Sequence, residues 1–69
     1  MAVLTIGDVR AAIDDIRARQ DDDEAAHSLD DALRARVLRA IADGQCQDPA
    51  GCARTALTTD DIGIARWCA

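Results

Sequence analysis

Three cysteines, one histidine and thirteen carboxylates are the side chains of this sequence that could do chemistry. Cys46, Cys52, Cys68 and His27 supply the donor types of a Cys3His zinc site. Their spacing argues against one. Cys46 and Cys52 stand further apart than the paired cysteines of a zinc knuckle, and both flank a predicted helix start. A Cys46–Cys52 disulfide is sterically conceivable. The simpler expectation is three small, partly buried thiols in a reducing compartment.

Glu24-x-x-His27 has the spacing of one ligand pair in a carboxylate-bridged di-iron bundle. Such a bundle needs a second pair and further Glu, and this chain has a single Glu. His27 therefore reads as a surface side chain beside acids, able to serve as a mild pH-sensitive contact. Asp14-Asp15, Asp30-Asp31 and Asp60-Asp61 are neighbours in sequence. Helical geometry points the members of each pair about 100° apart. They read as solvated faces and caps, not as acid–base pairs. No nucleophile motif and no phosphate-cradling glycine loop is present. The expectation is a protein that is not an enzyme, with no metal and no cofactor.

The elements that must carry these side chains are helical. Between Gly7 and Gly44 there is neither Gly nor Pro, and the stretch is rich in Ala, Leu and Arg. Thr5 caps a first helix over residues 6–19, with Asp8 at the third position and Leu4 and Val9 as a hydrophobic staple. Ile6, Val9, Ile13 and Ile16 form its apolar stripe. The acidic run from Gln20 to Glu24 breaks that stripe. It is either a solvated turn or a helix's first turn, where carboxylates meet the positive dipole end. Both hold if the chain bends near Gln20 and a second helix starts near Asp22; one continuous rod is the alternative.

The second helix presents Leu29, Leu33, Val37, Ala40 and Ile41 on one face, with Leu38 widening it, and Asp30 and Arg34 form an i, i+4 pair. Asp43-Gly44 gives the stop. Asp48-Pro49 starts a third helix running to about Leu57. Thr58, Asp61 and the pair Leu57 and Ile62 repeat the capping pattern and predict a fourth helix over roughly 59–66. Ala53, Ala56, Leu57, Ile62, Ile64 and Trp67 are then available to close over Leu38 and Ile41. The expected architecture is a single all-α domain over 1–69: an antiparallel helical hairpin with two short C-terminal helices packed on it.

Sixty-nine residues give a thin margin of stability. With no Phe or Tyr and one Trp, the core must come from Ile, Leu, Val and Ala, and fifteen residues are Ala. Binding a partner, or a second copy, would supplement such a core. Net charge is −5, from twelve Asp and one Glu against eight Arg and no Lys. That balance gives no help toward nucleic acid or anionic membrane and suits a basic partner. The first twenty residues contain Asp8, Asp14 and Asp15, so no apolar leader is read there, and the expected location is cytoplasmic.

Two segments carry a resemblance. Asp23-Glu24-Ala25-Ala26-His27-Ser28 through Val37-Leu38-Arg39-Ala40-Ile41-Ala42, and Asp60-Asp61-Ile62 through Ala65-Arg66-Trp67-Cys68-Ala69, resemble short uncharacterised proteins of actinobacteria and actinobacteriophages. The resemblance implies a phage-encoded or phage-derived accessory protein acting on a host protein, and brings no site residues with it. The expected function is a small protein-binding module, with Trp67 as anchor and Ile64, Leu38, Ile13 and Ile16 as further contact residues; homodimerisation through the apolar stripe of the first helix is one version. The alternative is a small helix-turn-helix-like DNA-binding regulator using residues 49–67.

Overall fold

A computed structural model describes residues 3–62. They are all helical in their regular structure, with no strand among them. The helices are α1 (Ile6–Ala18), α2 (Asp23–Ala42) and α3 (Pro49–Leu57), followed by a 3-10 turn over Thr58–Asp61. Each helix packs against the other two.

Local chemistry sets the boundaries. At the start of α1 the Thr5 hydroxyl accepts from the Asp8 N–H at 3.1 Å, and the Asp8 carboxylate accepts from the Thr5 N–H at 3.0 Å. Two donors that the helix cannot satisfy are thereby satisfied reciprocally. The chain leaves α1 at Arg19, and Asp22 caps α2 by accepting from the Ala25 N–H at 3.2 Å. The bend therefore falls at residues 19–22, where the apolar stripe loses phase, and Asp23 and Glu24 occupy the first turn of α2.

The end of α2 is a full Schellman motif. The Gln45 N–H donates to the Ala40 carbonyl at 2.8 Å and the Gly44 N–H to that of Ile41 at 3.2 Å. Gly44 has φ +68°, the left-handed region that a side chain disfavours. No atom lies within 4 Å of the place where a Cβ would stand, so backbone strain alone sets the cost of adding one. Gly44→Ala should destabilise by about 1–2 kcal/mol, read as a fall in Tm of about 4–8 °C per kcal/mol for a chain of this size.

The core draws Val9, Ile13 and Ile16 from α1, Ala26, Leu33 and Val37 from α2, Cys52 and Ala56 from α3, and Leu4 and Ile62 from the flanks. Each fully buried Val or Ile stabilises by about 1.5–3 kcal/mol relative to exposure. Leu4 is held by backbone as well. Its N–H donates to the Gln45 carbonyl at 2.8 Å and its own carbonyl accepts from the Gln47 N–H at 2.9 Å. This isolated parallel bridge between Leu4 and Cys46 ties the chain start to the α2–α3 connection.

Several expectations change. Thr58 does not cap a fourth helix. It has helical backbone angles at the end of α3, and its hydroxyl donates back to the Thr55 carbonyl at 2.7 Å. An N-cap needs extended backbone, which the chain reaches only at Ile62, with ψ 135°. The segment therefore makes one 3-10 turn and leaves it at Ile62; the rest of the expected fourth helix lies outside the described residues. Ile64, Trp67 and Cys68 lie outside the described residues. Leu38 is 67% exposed, not covered, because α3 sits against both α1 and α2 instead of lying along the outer side of α2. Ile13 and Ile16 are 5% and 0% exposed. Both side chains pack in the core of the monomer.

Candidate functional site

The α2–α3 face carries both the exposed apolar side chains and the main polar network. From α2 come Arg34, Val37 and Leu38; from α3 come Ala53, Ala56 and Leu57. Together they line an open groove of about 240 Å³ whose walls are nearly all carbon. Val37 and Ala56 form the floor as core residues, while Leu38 and Leu57, at 67% and 55% exposure, form the lips. The α3 wall is low because Ala53 and Ala56 are small. That choice lets α3 approach α2 closely and leaves a trough beside it.

Arg34 closes one end. Its Nε donates to the two oxygens of Asp30 at 3.2 and 3.3 Å. Its Nη2 donates to the Thr59 hydroxyl at 2.9 Å and to Asp60 Oδ1 at 2.8 Å. Asp30 and Thr59 are both fully buried. Every buried side-chain polar atom among the described residues has a hydrogen-bond partner. Partial burial opposes the Arg34 charge, but the Asp30 and Asp60 carboxylates outweigh it, and the Arg34 pKa is raised. The guanidinium thus stays charged and pins the 3-10 turn to α2, which fixes how α3 ends and where Leu57 stands.

The sequence reading treats Asp30 as solvated; the structure buries it. Ala26, Asp30, Leu33 and Val37 are the buried residues of α2, at spacings of four, three and four. Asp30 thus occupies a core slot in the stripe. That spacing was a legible sign; Arg34, the partner of Asp30 four residues on, is itself held by Thr59 and Asp60, 25 and 26 residues beyond Arg34.

A second groove of about 510 Å³ runs between α1 and α3, lined by Arg10, Ile13, Asp14, Arg17, Arg54, Thr55 and Thr58. It gathers three arginines around one aspartate in an acidic chain. Helical spacing places Arg10 and Arg17 on one face of α1, and α3 brings Arg54 to them.

Of the other candidates, Glu24 is exposed and His27 half-buried, both in the first turns of α2. Cys46 is half-buried and Cys52 fully buried, both as free thiols. Among the described residues no three His, Cys, Asp or Glu side chains converge so as to hold a metal ion. Among them, too, no helix is long and apolar enough to cross a membrane. Of the five sequence-predicted contact residues, Leu38 stands on an open surface, Ile13 lines the arginine groove from the core, Ile16 is fully buried, and Ile64 and Trp67 lie outside the described residues. No family model matches the chain, and no curated protein or solved structure matches it.

Proposed function

We propose that this chain is a small non-enzymatic protein-binding module, built on an antiparallel hairpin of α1 and α2, that receives an apolar segment of a partner in the α2–α3 groove. The observation that carries the reading is the pair Leu38 and Leu57, large apolar side chains left open on either side of a carbon-lined trough. A groove of this kind fits an amphipathic helix presenting apolar anchors one turn apart. Residues 21–43 hold seven acids against three arginines, which favours basic flanks on that segment. An accessory protein acting on a host protein would work in this way, by occupancy instead of turnover.

The test is a pair of single variants. Leu38→Asp and Leu57→Asp each place a charge on a lip of the groove. Because both positions are largely exposed, stability should change by no more than about 0.5 kcal/mol. Affinity of the purified partner, recovered by pull-down and measured by titration calorimetry, should fall at least about tenfold in each variant, equivalent to 1.4 kcal/mol. Unchanged affinity in both removes the groove from the binding surface. Light scattering across a concentration series assigns a second copy as the partner if assembly is lost in the same variants.

The arginine cleft supports a second reading, contact with nucleic-acid phosphates, in which Arg10 and Arg17 join Arg54 from the 49–67 segment. Duplex affinity that falls steeply with salt and weakens in Arg54→Ala would favour it over the groove.

A further inference from the structure

We propose that the cleft between α1 and α3 is a binding site for a small phosphate monoester carrying several hydroxyl groups, a sugar phosphate. It is separate from the α2–α3 groove, and neither reading depends on the other. Arg10 and Arg17 stand two helical turns apart on α1, and Arg54 joins them from α3. Asp14 lies between the first two, four residues after Arg10 and three before Arg17. That is the spacing at which helical ion pairs form. Yet among the described residues none of these four side chains is engaged in an ion pair. All four residues are exposed. Three arginines against one aspartate leave the cleft two charges positive, in a chain whose net charge is −5. Cations gathered in this way repel one another, and a bound dianion removes that repulsion.

The chemistry of the lining selects among anions. Guanidinium groups present planar forks that take a phosphate through paired hydrogen bonds. The surplus of two positive charges matches the dianion of a phosphate monoester, whereas each phosphate of a nucleic-acid backbone carries one charge. Ile13, 5% exposed, gives the cleft an apolar wall, beside which charges act more strongly than in open water. The remaining polar groups are acceptors. The Thr55 hydroxyl donates to the Gly51 carbonyl and the Thr58 hydroxyl to the Thr55 carbonyl, both at 2.7 Å. What those two oxygens retain is lone pairs. Together with the Asp14 carboxylate they can accept from hydroxyl groups, which a sugar offers in number. The volume of about 510 Å³ lies within the range of small-molecule sites.

The experiment titrates the isotope-labelled full chain with ribose phosphate at fixed ionic strength, followed by amide NMR. Ribose, methyl phosphate and a short DNA duplex are titrated beside it. The expected result is saturable binding with Kd of about 1 mM or below, with shifts centred on Arg10, Asp14, Arg17 and Arg54. Ribose should give no saturable shift, and methyl phosphate should bind more weakly than ribose phosphate. Arg10→Gln, Arg17→Gln and Arg54→Gln should each weaken ribose phosphate about tenfold. Asp14→Asn should tighten methyl phosphate, because a like charge is gone, while the advantage of ribose phosphate over it shrinks. Loss of structure cannot produce that opposite response. No saturable shift at the cleft, equal binding of ribose phosphate and methyl phosphate, or unchanged affinity in all three arginine variants overturns the proposal. So does a duplex that shifts these residues when ribose phosphate does not, which is the result expected of a nucleic-acid contact.

Discussion

Asp30→Ala should lower stability by about 3–4 kcal/mol, with a fall in Tm of roughly 15–20 °C. The size follows from what the substitution leaves behind. Asp30 is fully buried at a core position of α2, and its carboxylate takes the Arg34 Nε at 3.2 Å. Removing it opens a small cavity and strips Arg34 of its buried counter-charge. The remaining ion pair, to Asp60, has its carboxylate 56% exposed and contributes on the order of 0–1 kcal/mol. A chain of this size has a total stability of only about 3–10 kcal/mol, so the variant approaches the unfolding threshold at 37 °C. The check is urea and thermal denaturation followed by circular dichroism. The double variant Asp30→Leu with Arg34→Met removes both charges together and should recover most of the loss, since apolar replacement of a whole buried pair is often neutral. A cost below about 1 kcal/mol for Asp30→Ala would show that water reaches this carboxylate in solution.

Gly51→Ala should destabilise by about 1 kcal/mol, against the usual trend. In a helix interior, Gly→Ala ordinarily stabilises by about 1 kcal/mol. Here a Cβ would overlap the Asp48 carboxylate and stand 2.7 Å from Ile6 Cδ1. Asp48 is the cap of α3, accepting from the Gly51 N–H at 2.9 Å, and displacing it forfeits about 1 kcal/mol. Only the free end of the half-buried Ile6 side chain is met, so its shift adds about 0.5 kcal/mol. In the first turn of α3 the propensity gain falls short of its interior value, and the two costs exceed it. Gly7→Ala is the internal control, because its nearest contact would be the Thr5 hydroxyl at an ordinary 3.6 Å, and it should be neutral or stabilising. Equal Tm changes in the two variants would show that the close approach at Gly51 is absent.

These two positions also mark the border of what the sequence discloses. Thr5 with Asp8, Asp22 ahead of α2, Asp43-Gly44 and Asp48-Pro49 all act within a few residues of themselves, and each helix boundary they predict lies within a residue or two of the observed one. Burial of Asp30 depends on Arg34 finding Thr59 and Asp60 from another part of the chain, which no local pattern announces. The same holds for the exposure of Leu38. Its place beside Val37 and Ile41 widens the apolar face, but how far that face is covered depends on where α3 docks. Thr58 misled for a converse reason: its residue type suits a cap, yet the backbone there is still helical and its hydroxyl turns back to Thr55. At the candidate groove, then, Leu38 and Leu57 were legible as apolar residues, while the trough between them was not.

Nine residues are too few for a helix to persist alone in water, so α3 exists only by leaning on its neighbours. Yet it supplies a wall to both grooves, Ala53, Ala56 and Leu57 on one side and Arg54, Thr55 and Thr58 on the other. A molecule seated on either side acts on the same small body, and whatever influence the first has on the second must run equally in reverse. The two faces of this protein are thereby thermodynamically linked through a single slender partition.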